Sequence, residues 1–487
     1  MILNVLIVLL VLILFLAAFV VLRTLSFPRP YEAVEPEEGL QVDPKRTAKH
    51  LAAAIRCQTV SVMEGAPPDH EAMQQLHAVI QKQYPLVHKH LQRSVINDYS
   101  LVYTWVGRQP DLPPVLFAAH QDVVPADPEG WSHPPFAGEI ADGFVWGRGA
   151  LDLKNQLVAL LESVEALLQA GFQPQRTIYL AFGHDEEIGG HNGAKQIVEW
   201  LEKNGVELAA VLDEGGFVST DMLPGVSLPV ALVGTSEKGY LTLKLTVDVT
   251  GGHSSIPPAQ TAIGILSRAL ARIESHPLPA HPGLMRPMFE HVGIAAPFVH
   301  QMAFANLWLS APLLNKMLSG GPQTNAGIRT TTAVTVIRGG VKDNILPAHA
   351  EALVNFRLAP GDTIAFVCDH VRKAIKDERV HFEAVEGGAW QASPISPTDV
   401  PFYADLAAAT RKVFGNIPVA PFLFLGGSDA RHYTSLCPNV YRFSPLIVSS
   451  ETLARIHGVD ERVAVDAMVD MVRFYSLLIR DWCGGED

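Results

Sequence analysis

Five positions far apart in the chain, His120, Asp152, Glu187, Asp213 and His457, carry imidazole and carboxylate groups, the nitrogen and oxygen donors that bind divalent cations. Three of them end apolar runs. His120 closes Val115 to Ala119, Glu187 follows Thr177 to Phe182, and Asp213 follows Ala209 to Leu212. Open α/β sheets build their sites this way, with strands delivering polar residues at their carboxyl ends. Two zinc ions need three protein ligands each, and a shared carboxylate counts for both, so five residues suffice. Three carboxylates and one hydroxide balance two Zn²⁺, and a neutral cluster avoids the cost of burying net charge.

The neighbours of these positions fit the same chemistry. Strand side chains alternate, so His120 and Asp122 face one way and Asp122 can orient the imidazole through its second ring nitrogen. Glu186 and Glu187 are adjacent, and in extended chain they point apart. One can bind metal while the other reaches a water. Taken alone, His-x-Asp is common and Asp185-Glu186-Glu187 has the composition of a solvated acidic turn.

Elements able to position these groups are legible in the pattern. From Lys45 to about Pro229, apolar β-type runs alternate with helical periodicity, as in a parallel sheet covered by helices on both faces. Leu157 to Leu168 has apolar residues at helical spacing, and a second helix follows Gly193. Near Ser236 the character changes. Leu241 to Val249 alternate, Thr261 to Glu274 and Thr363 to Lys376 read as helices, and Thr332 to Ile337 and Ala352 to Phe356 as strands, giving an antiparallel sheet with two helices on one face. A final helix is expected over Val463 to Ile479. The stretch Ser275 to Gly320, with Met285, Met288, Phe289, Phe298, Phe304, Leu307, Trp308 and Leu309, is longer and more apolar than a link requires. It reads either as core or as a wall for an apolar acyl chain.

At 487 residues the chain exceeds a usual single core. Lys plus Arg number 37 and Asp plus Glu 50, a formal charge of −13 with no basic stripe, which disfavours nucleic acid as a partner. Cys57, Cys368, Cys437 and Cys483 lie far apart and form no Cys-x-x-Cys pair, so neither a zinc ribbon nor a dense disulfide framework is expected. Ile2 to Leu22 is apolar except for Asn4, long enough to span a bilayer and without the features of a cleaved signal. Arg23 and Arg29 follow it and would hold the body in the cytoplasm by charge alone, although large domains override that rule. The expected organisation is an anchor (or signal) at 1–23, a stem at 24–44, a catalytic domain at 45–235 and 393–487, and an inserted domain at 236–392. The expected location is a membrane-anchored, single-pass protein with an extracytoplasmic body.

Several motifs in order carry a resemblance: His120-Gln121-Asp122-Val123-Val124-Pro125, Trp146-Gly147-Arg148-Gly149-Ala150-Leu151-Asp152-Leu153-Lys154, Gly183-His184-Asp185-Glu186-Glu187-Ile188-Gly189-Gly190, Leu212-Asp213-Glu214-Gly215-Gly216, Gly251-Gly252-His253-Ser254-Ser255 and Arg455-Ile456-His457-Gly458. From about Lys45 onward the chain resembles the dinuclear zinc aminoacylases and carboxypeptidases. Through Ser236-Glu237-Lys238-Gly239 and Val354-Asn355-Phe356-Arg357 it also resembles the branch of secreted N-fatty-acyl-amino-acid synthase/hydrolases.

The resemblance implies an α/β zinc-peptidase-like catalytic domain with helices on both faces of a mostly parallel sheet, plus an inserted α+β, ferredoxin-like lid or dimerisation domain. It implies two Zn²⁺ per subunit, with Co²⁺ or Mn²⁺ as alternatives. Asp152 would bridge, His120 and Asp213 would complete one ion, and Glu187 and His457 the other, with a non-proline cis bond after Asp152. Glu186 would be the general base toward a zinc-bridged hydroxide. His253 would stabilise the oxyanion, often from a second subunit. Arg357, Asn344 and the loop holding Gly427 and Ser428 would take the substrate carboxylate, whereas an ordinary surface ion pair is the plainer reading of Arg357. The implied reaction is cleavage, or formation, of the amide bond of N-acyl amino acids, including N-fatty-acyl ones. A carboxypeptidase or dipeptidase on the same metals is the alternative. A catalytically inactive binding protein would have no need of Glu186 beside the ligands.

Overall fold

The computed structural model describes all residues except 1, 27–32, 38, 64, 223–225, 227, 294–295 and 485–487. The expected stem therefore lies partly outside the described residues. The expected apolar runs form the middle of a ten-stranded sheet. Ile178–Gly183, Val115–His120, Ala210–Asp213 and Val440–Arg442 lie side by side in parallel. Their side chains are buried on both faces, which is why these runs are continuous rather than alternating.

Away from that centre the sheet is mixed rather than mostly parallel. Gln92–Ile96 and Ser100–Trp105 form a hairpin that joins Ile178–Gly183 in antiparallel fashion. Its turn places Asn97 and Asp98 at φ 46° and 69°, a backbone these residue types tolerate, and so short a link can only join antiparallel strands. Val230–Glu237 runs antiparallel to Phe217–Ser219 and Val440–Arg442, and parallel to Val419–Phe424. The helix expected over Leu157 to Leu168 spans Lys154–Gln169, buried along nearly its whole circumference, and packs with Val465–Cys483 in one core. The last helix starts later than expected because Arg462–Ala464 pairs as a strand with Phe144–Trp146.

A second, four-stranded sheet is antiparallel throughout, in the order Thr331–Gly339, His349–Leu358, Gly239–Asp248, Val380–Trp390. His349–Leu358 alternates buried and half-buried residues, and the buried face meets the helices Ala262–Ser275 and Ile364–Ile375. Thr261 and Thr363 cap these helices, their hydroxyls accepting from Gly264 and Phe366 N–H. The chain passes between the sheets at Glu237 to Gly239 and again at Trp390 to Ser393. The crossings are tied together, since Ser393 N–H donates to Glu237 O at 3.1 Å and Glu237 N–H to Ser393 Oγ at 2.8 Å.

Between Ser275 and Gly320 the chain makes the helices Arg286–Val292, Phe298–Ala305 and Leu307–Leu318. Met288 and Phe289 are core, packed on Val230, Leu232 and Ala420, whereas Phe298, Trp308 and Leu309 face outward. The stretch is thus core in part and exposed in part. Ile2–Leu25 is a helix of 24 residues that contains an 18-residue stretch of mean hydropathy 3.7, long and apolar enough to cross a membrane. The four cysteines are free, with Cys57, Cys437 and Cys483 buried.

Candidate metal centre

The parallel strands end where the chemistry is expected. His120 is the last residue of Val115–His120 and is buried. Its Nδ1 lies 3.3 Å from Asp122 Oδ1 and 3.0 Å from the Asp122 carbonyl oxygen. The Asp122 carboxylate also accepts the backbone N–H groups of Glu186 and Glu187, each at 3.2 Å. One buried acid therefore fixes the imidazole and the turn that carries both glutamates. That turn is a short 3-10 helix, Glu186–Ile188, and not extended chain. The carboxyls still diverge, Glu186 toward His120 and Glu214, Glu187 toward His120 and Asp152.

Asp152 joins the two imidazoles. Its Oδ1 is 3.0 Å from His120 Nε2 and its Oδ2 is 3.1 Å from His457 Nε2, which lies 3.2 Å from Glu187 Oε2. The peptide bond after Asp152 is cis. His457 has φ 59°, an uncommon conformation for a residue with a side chain, and is half exposed at the mouth of the cluster. Burial opposes ionisation of Asp152, yet the bonds from His120 and His457 hold its carboxyl below the ordinary range. The bonds to Asp152 and Glu187 push His457 up to about 10.

The residue expected beside His120 is corrected by the geometry. Asp213 belongs to neither donor cluster among the described residues, and Glu214 stands in its place, with Oε1 3.5 Å from His120 Nε2. Adjacent residues at a strand end face opposite ways. Asp213 turns away toward Arg442 and accepts the Glu214 N–H; burial raises its carboxyl to about 6. Glu214, buried with Asp152 close by, is pushed up to about 8. Glu214→Gln is expected to lose one of two bound metals per chain and Asp213→Asn to keep both, measured by elemental analysis after dialysis.

The donor chemistry fits a pair of divalent cations. His120, Asp152 and Glu187, and His120, Glu186 and Glu214, each present atoms within 4.8 Å of one another. Burial and mutual repulsion push Glu186, Glu187 and Glu214 all upward, and Glu187 Oε1 has no hydrogen-bond partner. Positive charge in the middle relieves that repulsion.

Glu461, outside the quoted motifs, and Arg148, within one but given no role there, hold the ligand loops. Glu461 Oε1 accepts the N–H groups of Gly149, Leu151 and Asp152 at 3.1, 2.7 and 3.1 Å. Its Oε2 pairs with Arg148 Nη1 at 2.5 Å, and Arg148 Nη2 donates to the carbonyls of His457 and Gly458. The Asp152 loop is thereby locked to the His457 loop. Burial pushes Glu461 up to about 7, against the pull of Arg148. Its position four residues after His457 is the only trace of this role in the sequence.

The expected substrate contacts divide. Arg357 Cζ lies 4.7 Å over the Tyr240 ring, Tyr240 stacks on Trp390 at 4.6 Å, and Arg431 Cζ lies 4.6 Å from the Trp390 ring. Among the described residues no carboxylate pairs with Arg357. Gly427 lies beside Arg431, whose Nη1 would be 3.4 Å from a Cβ there. Ser428 is fully buried and its hydroxyl donates to Glu237 Oε2 at 2.8 Å, the oxygen that also takes Arg442 Nε at 2.7 Å, which leaves its backbone N–H as the group it could offer a substrate. Its hydroxyl is occupied within the fold. His253 and Asn344 sit together on an exposed two-stranded ribbon, Gly252–His253 with Ile345–Leu346, where Ser254 N–H donates to Asn344 O. Neither touches the acidic cluster of its own chain among the described residues. His432, beside that loop, is half-buried with Nε2 3.2 Å from Gly189 O, and loss of solvent lowers it to about 3.

Known proteins are similar to this chain in sequence or in fold. The chain is 42% identical to the N-fatty-acyl-amino acid synthase/hydrolase PM20D1 of Xenopus tropicalis, over 96% of this chain and 92% of that one. It is 38% identical to the probable carboxypeptidase S-like 2 of Dictyostelium discoideum, over 95% and 91%. In fold it is similar to the M20 family metallo-carboxypeptidase Sso-CP2 of Sulfolobus solfataricus, with TM-score 0.66 and 17% identity over 89% of this chain and 98% of that one. Human carnosine dipeptidase 1 superposes with TM-score 0.63 at 14% identity, over 90% and 96%. The model of peptidase family M20/M25/M40 matches residues 116–481, from the strand that ends in His120 to the last helix, and the chain is a metallohydrolase belonging to that family.

Proposed function

We propose that the protein hydrolyses, and in reverse forms, the amide bond between an acyl group and an amino acid, with N-fatty-acyl amino acids among its substrates. The observation that carries this reading is a spare carboxyl, Glu186, on the same turn as a ligand and held there by the acid that orients His120. The identity to the Xenopus synthase/hydrolase supports the substrate class.

His120, Asp152, Glu187, His457 and Glu214 would hold two divalent cations, zinc by preference for this nitrogen and oxygen set, with cobalt or manganese as substitutes. Bound there, the pair supplies Lewis acidity that polarises the scissile carbonyl and acidifies water. Glu186 takes the proton of the attacking water and gives it to the leaving nitrogen, a task suited to a carboxyl raised by burial. Arg357, stacked on Tyr240, receives the amino acid's carboxylate, with the Gly427 backbone beside the neighbouring Arg431; Asn344, on the ribbon with His253 at the far end of the second sheet, would join only from a second copy. His253 would reach the oxyanion from a second copy in a homodimer. In support, its ribbon is exposed, with Ile256, Val341 and Ile345 bared around it. The helix Ile2–Leu25 would anchor the chain in a bilayer.

The second reading, a carboxypeptidase or dipeptidase, is favoured by the identity to the carboxypeptidase S-like relative. A panel of N-acetyl, N-oleoyl and dipeptide substrates separates the two. Ready hydrolysis of dipeptides with N-oleoyl-phenylalanine left intact removes the fatty-acyl assignment. Arg357→Ala is expected to raise KM about 10- to 100-fold for acids and to leave the carboxamide analogue unaffected, because only the acid offers a bidentate partner.

A further inference from the structure

The helix Ile2–Leu25 does not leave the body freely. Its last turns rest on the link between Phe298–Ala305 and Leu307–Leu318. Arg23 Nε donates to Ala305 O at 2.8 Å, and Asn306 Nδ2 donates to Thr24 Oγ1 at 3.2 Å and Val20 O at 3.3 Å. Phe19 meets Trp308 edge-on with ring centroids 6.3 Å apart, and Thr24 is buried by the contact.

Those two short helices have unlike faces. Inward, Phe304 stacks on Phe289 at 4.1 Å, and Leu318 packs with Met288 on the main sheet. Outward, Val299, Trp308, Leu309, Leu313 and Met317 are each at least half exposed. From Phe298 to Ser319 the only Lys, Arg, Asp or Glu is Lys316. An apolar face of this extent, so poor in charge, is unfavourable against water. It is continuous through Phe19 and Trp308 with a helix whose side chains are bare along almost its whole length.

We infer that Phe298–Ala305 and Leu307–Leu318 lie in the plane of the bilayer, their outward face inserted among the lipid chains beside the anchor. The inference rests on the reading of Ile2–Leu25 as an anchor. With Arg23 marking the level of the headgroups, the helices bonded to it stand at the boundary of headgroup and acyl chain, where Trp is favoured and a lysine such as Lys316 can reach outward. Their inner side packs on Arg286–Val292, which in turn packs on Val419–Phe424, the strand that leads into the Gly427 loop. A lipophilic substrate dissolved in the membrane would thus meet the enzyme on the flank that borders its site.

The test uses the full chain, Cys368→Ser, in phosphatidylcholine nanodiscs with and without doxyl-labelled lipid. An environment-sensitive fluorophore is placed at Val299→Cys, Leu313→Cys or, as a control, Ile447→Cys, and flotation with liposomes is measured on the same samples. Expected are blue-shifted emission and at least a twofold loss of intensity to doxyl lipid at 299 and 313, neither at 447, and loss of the quenching at 299 when Trp308→Glu and Leu313→Glu are added. Flotation with water-like, unquenched labels at 299 and 313 overturns the inference and leaves the anchor standing. Blue-shifted labels that doxyl lipid fails to quench overturn it in favour of a protein contact. Failure to float defeats the anchor reading and the inference with it.

Discussion

Glu186→Gln should lower kcat by roughly 10²- to 10⁴-fold while the purified protein keeps its full metal content. Gln preserves the volume and the backbone bond to Asp122 but cannot accept a proton. The expected fall is in kcat and kcat/KM together, because proton transfer belongs to the transition state and not to the bound substrate. A loss of metal alongside the loss of rate would recast Glu186 as a ligand, which its closeness to His120 and Glu214 makes a real alternative outcome. Unchanged turnover would point to a binding protein on an enzyme's fold.

Glu461→Ala should be the most damaging substitution away from the ligands. It strands the buried Arg148 guanidinium and takes the acceptor from three N–H groups in the loop that presents Asp152. Removing one partner of a buried ion pair costs about 3–5 kcal/mol, and the loss of such support weakens metal binding about 10- to 100-fold. Thermal unfolding and competitive chelator titration measure the two effects. Glu461→Gln keeps an acceptor oxygen and should fall between wild type and Ala, whereas an alanine variant with native metal affinity would show that the Asp152 loop holds itself.

The parts of the site legible in the sequence are those for which one residue's position settles its direction. His120 ends a buried parallel strand, so its ring must leave the sheet at the carboxyl edge, and the motif around it sufficed. The choice between Asp213 and Glu214 was not legible in the same way. Both follow an apolar strand, both are acids, and only the register of Ala210–Asp213 against its neighbours decides which one faces inward. The engagement of the Ser428 hydroxyl was not legible for a related reason: its partner, Glu237, stands 191 residues earlier. Arg148 and Glu461 act through backbone groups, and such bonds depend on how two distant loops approach. In the second sheet the edge strand Val380–Trp390 is mostly exposed and left no such pattern, whereas the other three strands were legible because one face is covered, which imprints alternation. The flanks of the first sheet were not, since strand direction there follows from short connections.

Asp122 holds the His120 imidazole and the Glu186 N–H with one carboxylate oxygen and the Glu187 N–H with the other, so these pieces translate as one body when the sheet edge fluctuates. Replacing it would therefore degrade metal retention and proton transfer in a single stroke. In a double-mutant cycle, Asp122 and Glu186 should consequently read as one kinetic unit, with their separate penalties failing to sum.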